Sequence, residues 1–174
     1  ATKQFDGKFV IMNADDFAII HEARDSQKWI TEIKYAPSGE LLAVGSFDNR
    51  IYVYVFDGGM IKLQNMITQH NSFIMHIDFS VTANIMYLQS NCGAYELCFF
   101  EADTGMFIPA ASRLKDVRWT TLTCPLSWAT QGIHAAQNDG SDVTAVDCAL
   151  QSTKVTVACG DNFGRIRLYR YPVT

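Results

Sequence analysis

Gly45-Ser46-Phe47-Asp48-Asn49-Arg50-Ile51-Tyr52-Val53-Tyr54 and, 115 residues later, Gly160-Asp161-Asn162-Phe163-Gly164-Arg165-Ile166-Arg167-Leu168-Tyr169 are two versions of one pattern. Gly, Arg, Ile and Tyr stay in register, and a short polar turn leads into a β-branched and aromatic run that suits a pleated strand. Before the first version stand the apolar run Leu41-Leu42-Ala43-Val44 and the turn signal Pro37-Ser38-Gly39. Further back, Trp29-Ile30-Thr31-Glu32-Ile33-Lys34-Tyr35 aligns with Phe73-Ile74-Met75-His76-Ile77-Asp78-Phe79 at an offset of 44. The same offset carries Ser46 onto Ser90, Ile51 onto Tyr95 and Val53 onto Leu97. A third copy runs through Ala145-Val146-Asp147-Cys148 and Val155–Gly160, its first half two residues out of register because of a longer turn after Ala149.

Further strands are expected at 8–12, 17–22, 84–90, 94–100, 106–111, 143–149 and 154–159, and no long segment carries the 3.6-residue apolar period of a helix. Units of about 40–45 residues with four strands each are the signature of WD-type β-propeller blades. One small twisted sheet cannot bury both faces alone, so it stacks on its neighbours around an axis. The reading is therefore an all-β, partial WD40-type propeller of about three to four blades. It has a blade end at 8–22, blades at 28–68, 73–111 and 142–171, and an irregular connection at 112–141 holding Trp119, Trp128 and Asn138-Asp139-Gly140. A closed propeller needs at least about four blades, so the expectation is a longer protein, or copies that associate through open sheet edges.

Composition narrows the function. Apolar residues make up 48% and charged residues 18% of the 174, which suits a packed domain and not disorder. Net charge is −4 and no basic stripe is visible, which argues against duplex nucleic acid as a partner. No apolar run approaches the ~20 residues of a membrane span, and no secretory signal is evident. Five cysteines, Cys92, Cys98, Cys124, Cys148 and Cys159, follow neither a disulfide framework nor a paired metal motif and read as reduced core thiols.

Three groups of segments together resemble the echinoderm microtubule-associated protein-like family. The first runs Ile33–Gly39 and Leu42–Tyr54. The second runs His70–Ser80 and Ser90–Leu97. The third, the most specific, combines Asp116-Val117-Arg118-Trp119-Thr120-Thr121-Leu122-Thr123-Cys124 with Asp139–Val143 and Gly160–Gly164. The resemblance extends from about Gly7 to Pro172. It implies a non-enzymatic scaffold of the cytoplasmic cytoskeleton that binds protein partners, tubulin or microtubules first among them. A WD-repeat adaptor of another complex is the alternative.

The candidate residues are structural before they are chemical. Asp48 and Asp161 are expected to accept backbone N–H bonds within their turns. His70 precedes a first strand, where WD blades place a histidine that bonds across the blade; Gln69 replaces the usual glycine, and Tyr54 the usual tryptophan. Arg165, Arg167 and Arg170 form a candidate patch for an acidic partner surface, with Arg165 and Arg167 on one side of their strand. His70, His76, Cys92 and Cys98 fit no compact zinc spacing, so no metal is expected. Cys124, His134 and Asp139 lack the elbow or helix N-terminus of a thiol nucleophile, so no catalytic residue is expected. Gly58-Gly59 reads as a hairpin turn and not as a phosphate loop, and no cofactor is implied.

Overall fold

A computed structural model describes residues 7–81, 84–134, 140–150 and 154–174. It contains antiparallel sheets of two, four, three and three strands. The first pairs β1 (Phe9–Met12) with β2 (Ile19–Ala23). The second runs in chain order through β3 (Ile30–Tyr35), β4 (Leu41–Ser46), β5 (Ile51–Asp57) and β6 (Met60–Ile67). The third holds β7 (Ile74–Phe79), β8 (Tyr87–Cys92) and β9 (Leu97–Glu101). The fourth holds β10 (Val143–Cys148), β11 (Thr156–Asp161) and β12 (Ile166–Arg170).

Side-chain alternation explains why the sheets stack. In β4 every residue is buried. Leu42 and Val44 join Phe9, Tyr52 and Tyr54 in a core against the first sheet. Leu41 and Ala43, with Ile51 and Val53, meet Ile74, Ile77, Phe79 and Leu88 of the third sheet. A Cβ on Gly45 would lie 2.7 Å from Ile74 Cγ2, so this seam closes only because glycine stands there.

The Ile33 and Ile77 stretches take the same form, and the first strands of the second, third and fourth sheets shift register at the same place: Ile30/Glu32, Ile74/His76 and Val143/Ala145. Beyond that strand the offset of 44 fails. Ile30 pairs with Ser46 but Ile74 with Cys92, so Cys92, not Ser90, is the counterpart of Ser46. Likewise Gly45 faces Ile51 and Asn91 faces Leu97, so Ile51 corresponds to Leu97 and not Tyr95. The cause is two extra residues in the β7–β8 connection relative to the β3–β4 connection.

The strand expected at 106–111 is reduced to a bridge between Phe100 and Phe107. Ile108 N still donates to Phe99 O at 2.8 Å, but Pro109, which has no N–H, follows, and a short 3₁₀ turn begins at Ala111. Within 112–141, a second 3₁₀ turn forms at Trp128–Ile133, while Asn138 and Asp139 lie outside the described residues.

This connection wedges between the third and fourth sheets. It first covers the free edge of β7: Val81 N donates to Arg118 O at 2.8 Å and Thr120 N to Phe79 O at 2.7 Å. It then supplies Leu114, Trp119, Leu122 and Ile133 to a core shared with Phe99, Val146, Val157 and Cys159.

Candidate functional site

Three turns on one rim carry the candidate polar residues, and their backbones repeat. Ser46 N donates to Arg50 O, Cys92 N to Glu96 O and Asp161 N to Arg165 O. The fourth residue of each turn has positive φ: Asn49 at 70°, Tyr95 at 59° and Gly164 at 76°. That conformation suits Gly and Asn and is uncommon for tyrosine. The chemistry on this common frame differs in each turn.

In the first, Asp48 departs from expectation. Its Oδ2 accepts from Tyr52 Oη at 2.7 Å and Ser26 Oγ at 3.1 Å. The turn N–H of Asp48 is instead taken by Ser46 Oγ at 3.2 Å, because the shorter serine sits directly beneath it. Ser26 Oγ and Ser46 Oγ are 2.6 Å apart. In the third turn, Asp161 does what the sequence reading assigns. Its Oδ1 accepts from Phe163 N at 3.0 Å and Arg165 N at 2.9 Å.

His70 spans its sheet as expected, with Nε2 2.6 Å from Ser90 Oγ. Its Nδ1 lies 3.4 Å from Glu96 Oε2 without a hydrogen-bond partner, and the side chain is 1% exposed. Burial lowers its pKa, against the opposing pull of Glu96. Cys92 Sγ lies 3.0 Å from the same Oε2. Glu96 also accepts from Asn71 N at 3.0 Å and from Asn71 Nδ2, and these bonds hold its carboxyl down to about 2. The structure thus joins His70 and Cys92 to Glu96, a residue the sequence reading did not single out, whereas His76 pairs with Glu32 at 3.6 Å. The clue available was Ala94 in the place of Asp48, which leaves the second turn to draw its carboxylate from elsewhere.

The three arginines do not form one patch. Arg165 Nε and Arg167 Nη1 lie 2.8 and 3.2 Å from Asp161 Oδ2, so one carboxylate offsets part of their joint charge and leaves a net positive charge on that side of β12. Arg170 alternates onto the side of Ile166 and Leu168. Arg165 also covers the Phe163 ring at 5.2 Å.

Cys124 is fully buried, and burial beside Asp78 pushes its thiol well up, which opposes thiolate formation. His134 Nε2 lies 3.0 Å from Pro125 O, and Asp139 lies outside the described residues. All five cysteines are free thiols. A cavity of about 520 Å³ opens between the second and third turns, lined by Cys92, Tyr95, His134, Asp142, Arg165 and Arg167 among others.

Asp78, fully buried in β7, is the polar hub that the sequence concealed. It accepts from Gln89 Nε2 at 3.0 Å, Thr121 Oγ1 at 2.6 Å, Thr123 N and Oγ1 at 2.9 Å, and Cys124 N at 3.0 Å. Asn91 adds a two-way clamp on Leu126, receiving its N–H at 2.8 Å and donating to its carbonyl at 2.9 Å.

Over residues 1–174 the chain matches the family described as the echinoderm microtubule-associated protein second β-propeller. It is 37% identical over 169 residues to the 77 kDa echinoderm microtubule-associated protein of Strongylocentrotus purpuratus, covering 96% of this chain and 24% of that protein. It is 32% identical over 168 residues to echinoderm microtubule-associated protein-like 1 of Homo sapiens, covering 95% of this chain and 20% of that protein. The chain thus spans about a fifth to a quarter of these relatives. Among solved structures it resembles the Cps50 (Swd1) β-propeller domain of Myceliophteria thermophila. The TM-score is 0.54 at 16% identity, covering 98% of this chain and 48% of that one, a likeness of fold alone.

Proposed function

The chain belongs to the echinoderm microtubule-associated protein family, to its second β-propeller, and on that premise we propose that it is a non-enzymatic WD-repeat scaffold docking on tubulin or microtubules in the cytoplasmic cytoskeleton. The observation that carries the reading is the family match along the whole chain, together with relatives whose names describe microtubule-associated proteins. The rim chemistry supports the scaffold half of it. Carboxylates and arginines there are engaged in closing turns, and the Cys124 thiol is held protonated.

Arg165, Arg167 and Arg170 are the proposed contacts with acidic side chains of the partner, from two sides of β12. The outer face of the fourth sheet leaves Ile166 79% and Leu168 70% exposed, and the first sheet leaves Ile19 62% exposed. These faces suit stacking on further sheets, or on other copies when the 174 residues stand alone.

The test is co-sedimentation of the full-length protein with polymerised microtubules, with and without this region. The region is expected to increase the pelleted fraction. No change on its removal refutes the microtubule reading, and affinity capture of a different assembly without tubulin supports the adaptor alternative.

A further inference from the structure

The second turn differs from its sister turns in what its donor atoms can hold. In the first, Ser26, Ser46 and Asp48 close on one another through hydroxyl hydrogen bonds. In the third, the carboxylate of Asp161 is neutralised by two arginines. The second brings together an imidazole nitrogen, a thiol and a carboxylate, with all three donor atoms within 4.8 Å of one another. Among the described residues this is the group with such a donor set.

We propose that His70 Nδ1, Cys92 Sγ and Glu96 Oε2 form a zinc site, with water from the adjoining cavity completing a tetrahedron. Imidazole, thiolate and carboxylate are the ligands that Zn²⁺ takes at about 2.0, 2.3 and 2.0 Å, which places neighbouring ligand atoms about 3.3–3.5 Å apart in a tetrahedron. Two of the three separations, 3.4 Å from nitrogen to oxygen and 3.0 Å from sulfur to oxygen, are already near that spacing, and the nitrogen lies within 4.8 Å of the sulfur.

The surroundings are those of a held ligand set. His70 is tied through Nε2 to Ser90 Oγ, which orients the ring and leaves Nδ1, buried and without a hydrogen bond, aimed at the other two donors. Asn71 fixes the carboxylate with its N–H on Oε2 and its side-chain amide on Oε1. Cys92 lines the cavity, which gives an ion a path and a water.

The charges balance as well. Zn²⁺ replaces the thiol proton, which leaves for solvent, and a Zn–S bond forms. Thiolate and carboxylate then cancel the two positive charges of the ion, so no net charge is buried. Neutral His70 contributes its Nδ1 lone pair and keeps its proton on Nε2, donated to Ser90. No electron is transferred.

The experiment is zinc titration of the chelator-treated full chain, followed by native mass spectrometry and calorimetry. One zinc ion per chain and one proton released on binding are expected. Cys92→Ser and Glu96→Gln should each weaken binding about tenfold or more, since even the loss of an outer-shell partner costs about that much. Cys148→Ser, remote from the group, should not. Cobalt titration of the unaltered chain keeps the test independent of whether the variants fold, because a thiolate ligand gives Co²⁺ an intense near-ultraviolet charge-transfer band. Absence of bound zinc, equal affinity in Cys92→Ser and Glu96→Gln, or a cobalt spectrum without the thiolate band overturns the proposal.

Discussion

Replacing Asp78 is the sharpest probe of how the wedge is held. In Asp78→Ala, the N–H groups of Thr123 and Cys124 and the Nε2 of Gln89 lose their acceptor and cannot turn to water. A buried donor left unsatisfied costs about 1–3 kcal/mol. The hydroxyls of Thr121 and Thr123 can rotate away; Thr123 Oγ1 already has Ile77 O at 3.4 Å. Three stranded donors therefore predict a loss of about 3–9 kcal/mol, a large part of a stability of about 5–15 kcal/mol. Asp78→Asn keeps one oxygen for the three N–H donors and lets its amide face the rotatable hydroxyls, so it should cost less, about 1–3 kcal/mol.

Urea unfolding should be followed by tryptophan fluorescence and by far-ultraviolet circular dichroism. Trp119 is buried against Phe99 at 6.0 Å between ring centroids, and Trp128 donates to Ala111 O at 3.1 Å, so both report on the wedge. Trp29 is already 47% exposed and changes less. In the variants the fluorescence transition should move to lower urea ahead of the dichroism. An Asp78→Ala protein within about 1 kcal/mol of the parent, with coincident transitions, would refute the reasoning.

The glycine at the first seam gives a paired test. Gly45→Ala should cost about 1–3 kcal/mol by pressing on Ile74 and Ile77, whereas Gly160→Ala, at the matching register with nothing within 4 Å, should change the urea midpoint little. Glu96 gives a test by pH. Its carboxyl is held at about 2, below the ordinary ~4.3 of an unfolded chain, so its contribution is complete above the unfolded value and is lost as pH falls toward 2. In chelator, the stability gap between the parent and Glu96→Gln should be about 1 kcal/mol at pH 7, allowing for solvent screening, and should shrink as the pH is lowered through 4 to 2.5; a gap that widens would refute it.

The repeat was legible because burial on both faces forces alternating apolar residues at a fixed spacing, as in Leu41–Val44 against Ile51–Tyr54. The turn after the first strand was not, because solvent-facing loops accept extra residues at little cost; hence Ser46 was set against Ser90 instead of Cys92. The bonds of Asp161 and His70 could be read from position, since one lies within its own turn and the other crosses adjacent strands. Glu96 and Asp78 could not. Glu96 reaches back to His70 and Asn71, and Asp78 receives most of its donors from more than forty residues away, so the partners of neither can be read from its neighbours; Ala94 marks only that the second turn lacks a carboxylate at the place of Asp48. The division of the arginines was hidden although Asp161 is their near neighbour in sequence, because alternation shows which side a residue takes but not that one carboxylate engages two of them.

The two inner joints of the molecule differ in thermal character. Between the second and third sheets the contact is chiefly one of Ile, Val, Leu and Phe, fitted around a missing methyl at Gly45, with Glu32 as a polar link, accepting from Ile77 N at 3.0 Å. The third sheet meets the wedge through carboxylate, amide and hydroxyl bonds on Asp78, Gln89 and Asn91 as well as through the apolar contact of Phe99 with Trp119. Apolar attraction fades in the cold, while directed polar bonds do not. Chilling the protein therefore slackens the more apolar joint relative to the one with more polar bonds, and warming it favours the reverse.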